Sequence, residues 1–144
     1  MVKRKYFYGF IVIYKYISPA NKTDSPHFNE LLLNFKNLFE NIKKENPYSM
    51  FFTCDFNGHS QLWWQDGDSN NDSEAIEDLT SLLGLRQLIS EPTNIQTNNN
   101  KSCIDLIFTD QSNIVMESGV RPSLDKFCHH HITYCMINLN IPPP

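Results

Sequence analysis

The sequence predicts a layered α/β (α+β) domain, and three observations carry that prediction. Short β-branched and aromatic runs alternate with Asn-, Ser- and Pro-rich turns, two segments repeat apolar residues at helical spacing, and the order reads β-α-β-loop-α-β-β-β-β. The 144 residues are 40% apolar and 12% aromatic, enough for one core of ordinary size. One domain over residues 1–141 is therefore expected. The closing IPPP cannot continue a sheet, so residues 142–144 read as a tail or the start of a linker.

The elements follow in order. Residues 7–17, FYGFIVIYKYI, are a strand, and SPANKTDSP supplies the turn formers of a loop. Ser25-Pro26 then offers an N-cap and a first-turn proline ahead of Phe28, Leu31, Leu32, Phe35, Leu38, Phe39 and Ile42. Those residues form one face of a helix of about four to five turns. Asn46-Pro47 ends the helix, and SMFFTCDF resumes as a strand. The polar segment HSQLWWQDGDSNNDS suits a long surface loop. A second helix turns Ile76, Leu79, Leu82 and Leu83 inward and stops at Gly84. LRQLI, CIDLIF, NIVMESGV and HITYCMINL are short strands, and TNIQTNNNK reads as an asparagine-rich turn.

Composition narrows the function. A formal charge of -4 argues against a surface that binds polyanions by bulk electrostatics, so any nucleic-acid contact must be local or helped by a metal. Cys54, Cys103, Cys128 and Cys135 form no CxxC pair and lie in or beside apolar stretches, which reads as reduced structural thiols in an intracellular setting. The start MVKRKYFYGFIVIYKYISPA has the basic and apolar parts of a signal peptide, but Lys15 interrupts the run and no small-x-small cleavage pattern follows. It is read as a strand. No stretch approaches the roughly 20 apolar residues of a membrane span.

Polar residues gather at three apolar segments: Asp55 and Asn57 in CDFNGHS, Asp105 in SCIDLIFTD, and His129, His130 and His131 in CHHHITY. An Asp and an Asn ending a buried strand belong at its exposed mouth, because inside a core each would need hydrogen-bond partners. Together these residue types suit metal-assisted hydrolysis: a carboxylate holds or deprotonates water, an amide orients a phosphoryl oxygen, and an imidazole donates to developing negative charge. Simpler readings stand beside this one. Asp55 to Gly58 is also a turn signature, and Asp105 is also an acid that pairs with a surface cation. The Cys128, His129, His130, His131 and Cys135 cluster is also a source of zinc ligands, although only alternate residues of a strand, such as His129 and His131, can share an ion.

Taken together, CDFNGHS resembles the GDFN-x-H segment, SCIDLIFTD the S-x-x-D-L-I-x-T segment, and CHHHI the SDH segment of the endonuclease/exonuclease/phosphatase superfamily. The resemblance runs from about Tyr8 to the C-terminus and is nearest to the apurinic-endonuclease-like domain that precedes the reverse transcriptase of non-LTR retrotransposons. It implies a deoxyribonuclease-I-like fold, a four-layer αββα sandwich of which this chain holds part. It also implies hydrolysis of DNA phosphodiesters with magnesium, or manganese, as cofactor, and a reverse transcriptase domain downstream. By that resemblance Asp55 is the acid that aligns and deprotonates water, Asn57 holds a phosphate oxygen, His130 bonds the scissile phosphate and Asp105 orients His130. Tyr16 matches the tyrosine near the leaving group. His59, Trp63 and Trp64 would form a rim on which bases stack, with a loop anchored by two buried tryptophans as the alternative. An active element would act in the nucleus.

Two departures from the family pattern bear on activity. The family's fold has another half ahead of this region, including a glutamate that binds magnesium, so only one sheet and part of a second are expected here. Moreover, His129 and Cys128 stand where the family has the aspartate and serine of SDH. His129 thereby becomes a metal ligand candidate beside Asp55, of a kind better suited to zinc or manganese than to magnesium. Both departures predict weak or absent turnover by the isolated chain. Two alternatives remain: a phosphoesterase acting on another substrate of the superfamily, and a non-catalytic zinc- or nucleic-acid-binding module.

Overall fold

The computed structural model describes residues 9–12, 26–45, 50–65, 69 and 71–138. Among the described residues, two α-helices and eight strands run in the order β1 (Gly9–Val12), α1 (Pro26–Glu45), β2 (Met50–Asp55), α2 (Asn71–Leu82), β3 (Arg86–Gln87), β4 (Asn94–Ile95), β5 (Lys101–Ser102), β6 (Asp105–Thr109), β7 (Val115–Arg121) and β8 (Ile132–Ile137), with a short 3-10 turn at Ser112–Ile114 before β7. The main sheet has the order β1-β2-β6-β3. β1 runs parallel to β2 across the α1 crossover, whereas β2, β6 and β3 are antiparallel.

Both helices form where the apolar spacing places them. Pro26 opens α1, and Lys43 and Lys44 lie in its last turn, where positive charge complements the helix dipole. Lys43 also makes an ion pair with the largely buried Asp110, which accepts from the Met50 backbone N–H at 2.8 Å. This contact joins the end of α1 to the start of β2 and the end of β6. α2 ends in a Schellman motif: Gly84 adopts φ 65°, the Gly84 N–H donates to Ser81 and the Leu85 N–H to Thr80. Two positions differ from the sequence reading. Leu38 is 43% exposed and Leu82 is 68% exposed, since each lies at the margin of an apolar arc wider than the contact it serves.

The core lies between α1, α2 and the sheet. Phe52 and Phe108 are register partners and so share one face. Phe35 packs edge-on against Phe52 at 4.8 Å, and Phe39 reaches the same ring at 5.7 Å. Ile76, Ile89 and Leu106 complete the fully buried centre. On the other face of β2 and β6, alternation sets Asp55, Asp105 and Ile107. The β7–β8 ribbon forms a separate two-stranded sheet, with Val115, Val120, Cys135 and Ile137 packed on the core. Ser118 secures it by donating to the Leu88 carbonyl at 2.9 Å.

The later chain is more finely divided than its sequence suggests. LRQLI yields only the two-residue β3, and the asparagine-rich turn is a hairpin, β4–β5, closed by Asn99 at φ 64°. Asparagine tolerates that left-handed conformation, which explains why the tip is rich in it. Of the run at 7–17, only β1 falls among the described residues. No described helix is long and apolar enough to cross a membrane. All four cysteines are free. Burial, with help from Asp105 and Glu91, pushes the Cys103 thiol up to about 12.

Two outcomes follow from this packing. Phe52→Ala removes a ring clamped between two helix phenylalanines and should cost about 3–5 kcal/mol in urea denaturation. The Cys103 thiol is held at about 12 against an ordinary 9.0, so the folded state keeps a proton that the unfolded chain releases. Its contribution to stability is full below pH 9 and is lost as the pH rises toward 12. Cys103→Ala should therefore make the alkaline fall in the urea midpoint shallower.

Candidate active site

The antiparallel register of β2 and β6 sets Asp55 directly opposite Asp105. The two carboxylates therefore leave the same face of the sheet at its open end, where β2 stops and β6 begins. Asp55 is further shaped by its own turn, because Oδ1 accepts the Asn57 backbone N–H at 3.0 Å and Asn57 takes φ 48°. The turn reading and the site reading of CDFNGHS thus describe one piece of geometry. Asn57 is exposed beside Asp55.

His130 arrives from the connection between β7 and β8. Its Nδ1 lies 3.0 and 3.1 Å from the two oxygens of Asp105, so the carboxylate accepts across both. One ligand atom each from Asp55, Asp105 and His130 lies within 4.8 Å of the others. This is the only such group of titratable ligands among the described residues. Two facing carboxylates repel unless a cation or donor lies between them. The two carboxylates suit a small divalent cation that keeps part of its water, while the ring nitrogens of His130 face Asp105 and Asn94.

A short strap holds the histidine segment in place, and the sequence reading did not single it out. Residues 93–95 pair with 129–131: the His131 N–H donates to the Thr93 carbonyl at 2.6 Å, the Ile95 N–H to the His129 carbonyl at 3.0 Å, and Asn94 bridges to His130. The buried Thr93 hydroxyl accepts the N–H groups of both Ile104 and Asp105, at 3.0 and 2.9 Å. One threonine thus fixes the start of β6 and, through its carbonyl, the histidine loop. A polar Thr-Asn pair after a proline was the available signal. Its partners are distant in sequence, so only the fold reveals its use.

The other expected site residues are distributed less evenly. His129 is exposed and stands outside the three-residue group, because neighbours in extended backbone point to opposite sides. This corrects its expected role as a ligand beside Asp55, and no group combining His129 with His131 or a cysteine exists among the described residues. Trp63 is only 7% exposed and meets Phe108 edge-on at 6.2 Å, so its ring belongs to the core and not to a base-stacking rim. Buried Ser60 anchors that loop, accepting the Trp63 and Trp64 N–H groups at its carbonyl and donating its hydroxyl to Glu77. Trp64 is half-buried. His59 lines a polar groove of about 580 Å³ with Gln96, Asn99, Asn100, Lys101 and Ser102 of the β4–β5 hairpin. Tyr16 lies outside the described residues.

A family model described as endonuclease-reverse transcriptase matches residues 10–134. The chain belongs to the endonuclease-reverse transcriptase family. Among solved structures it is similar to the endonuclease domain of TRAS1, a telomere-specific non-LTR retrotransposon, with a TM-score of 0.66 and 22% identity over 84% of this chain. That likeness shows a shared deoxyribonuclease-I-like fold, as the resemblance implied. The matched region spans 56% of the TRAS1 domain. No curated protein sequence matches the chain significantly.

The facing carboxylates generate a direct test. Asp55→Asn keeps the acceptor for the Asn57 N–H but removes one of two opposed charges, so it should raise stability in metal-free buffer by ~0.5 kcal/mol. Manganese should raise the melting temperature of the parent protein, and the same change should abolish that rise. A variant that melts lower without metal and still responds to manganese would contradict the geometry.

Proposed function

We propose that the chain is the part of a retrotransposon endonuclease domain that bears Asp55, Asp105 and His130, and that it hydrolyses DNA phosphodiester bonds with a divalent cation. The observation that carries this reading is the convergence of those three side chains, drawn from three separate segments, at one end of the sheet. Carboxylate, histidine and an adjacent amide supply the base, donor and positioning groups that phosphodiester hydrolysis needs.

In this mechanism Asp55 takes the proton of the attacking water, and the new P–O bond forms as the P–O3′ bond opposite it breaks in line, so that the phosphate stays on the 5′ side of the nick and the 3′ oxygen leaves and takes a proton from solvent. The Asn57 amide holds a non-bridging phosphate oxygen. His130 donates to the phosphate through Nε2, while Asp105 fixes the ring from Nδ1. Magnesium or manganese, held by Asp55 and Asp105, would supply positive charge to the phosphate and the departing oxygen. Tyr16 would lie near the leaving group. The nick would leave a 3′-hydroxyl for a downstream reverse transcriptase domain, in the nucleus of the host cell.

The polar groove beside His59 supports an extended DNA backbone over a compact, multiply phosphorylated substrate. Its lining contributes Lys101 and several amides but no arginine, which suits tracking of a strand more than capture of clustered phosphates. With a net charge of -4, such binding must be local.

The test is nicking of supercoiled plasmid with magnesium or manganese. Asp55→Ala and His130→Ala should each lower the rate by about 10²–10⁴, the usual worth of a positioned acid or base, and chelation should abolish it. Nicking by neither the parent protein nor its variants would remove the catalytic reading.

A further inference from the structure

The connection from β7 to β8 carries His130 into the site, and its earlier part takes no share in the mechanism above. There Leu124 is 96% exposed and Phe127 is 79% exposed. Every other phenylalanine whose burial is described is buried or half-buried. Single apolar side chains in water are ordinary, whereas here two stand three positions apart on one short loop. The polar groups of the loop bond to one another. Asp125 Oδ1 accepts the Phe127 N–H at 2.9 Å, the Asp125 carbonyl accepts the Cys128 N–H at 3.0 Å, and Ser123 Oγ accepts the Asp125 N–H at 3.2 Å. Phe127 thus occupies a corner of a β-turn over residues 125–128, fixed by its own hydrogen bonds. The Lys126 ammonium lies 5.1 Å from the centroid of the Phe127 ring, so a cation and an aromatic face are presented together.

We propose that this turn is a DNA contact: the Phe127 ring stacks on a base flanking the phosphate held at His130, and Lys126 pairs with a neighbouring backbone phosphate. Chain length sets the reach. Three peptide steps separate Phe127 from His130, so their Cα atoms are at most about 11 Å apart, the axial length of roughly three base pairs. A strand with a phosphate at His130 therefore passes the turn. The residue types fit that neighbour, because every base has a π-face and an exposed phenylalanine or leucine can enter a base stack while a lysine beside it neutralises phosphate. Asp125, the one acid of the turn, is committed through Oδ1 to the Phe127 N–H. Since the backbone of the turn is already fixed, little further ordering is needed on binding. A chain with a net charge of -4 can hold DNA only through local contacts of this kind.

The placing of the contact beside His130 rests on the DNA-nicking reading, whereas the contact itself is read by binding alone. A fluorescein-labelled duplex oligonucleotide, titrated with the full chain in magnesium at low salt, gives Kd by anisotropy, and a denaturing gel of the same samples reports nicking. Phe127→Ala should weaken binding about tenfold, the worth of one base stacked on an aromatic side chain, and leave the salt dependence unchanged. Phe127→Trp should bind at least as tightly as the parent protein. Lys126→Ala should lower the slope of log Kd against log salt by about one. Leu82→Ala, which trims another exposed apolar side chain on α2, is the control and should bind as the parent does. A Phe127→Ala variant that binds like the parent overturns the proposal even where the DNA is nicked, and so does a parent protein that binds no duplex. Unchanged DNA binding with loss of a dimer in sedimentation would assign the turn to a second copy of the chain and overturn it equally. Binding that depends on Phe127 without any nicking supports the contact and fails the catalytic reading alone.

Discussion

The site depends on the register of one antiparallel pair. With Asp55 opposite Asp105, two acids meet at the end of the sheet. A slip of one residue would turn one of them to the helix-covered face. That register is held from the apolar side, where Phe52 and Phe108 are partners within the same ladder and Phe35 and Phe39 lie on Phe52. The residues that make the core therefore also set the carboxylates. Packing on one face of the sheet determines chemistry on the other.

The histidine depends on a second constraint, because β7 and β8 form their own sheet and share no ladder with β2 or β6. The strap at residues 93–95 supplies what a ladder would have supplied. Thr93 couples its hydroxyl to the start of β6 and its carbonyl to His131, so movement of one sheet against the other is resisted by a buried threonine. Backbone bonds fix the loop and side chains fix the ring. This division is economical for a site assembled across two sheets.

Much of this was legible in the sequence, and what was not has a common cause. Helical spacing from Phe35 to Ile42, the proline at 26 and the glycine at 84 are local signals, and α1 and α2 appear where those signals put them. Asp55 and Asp105 stood out as polar residues bordering apolar runs, whereas His130 was separated from His129 and His131 only by the resemblance to the SDH segment. The strap was missed because Thr93 and Asn94 are ordinary in composition and act through hydrogen bonds to partners 9 to 38 positions away. Trp63 takes the second of the two roles its sequence allowed, the buried loop anchor, because the loop folds back over Phe108. His129 was assigned by alignment with a motif, whereas the chain's direction at that point turns it outward.

Electrostatics ties the proposed activity to the resting geometry. A chain with a net charge of -4 and two facing carboxylates opposes the approach of a phosphodiester on its own. Under the proposed reading, a bound divalent cation reverses that local field, so that binding and reaction require the same ion.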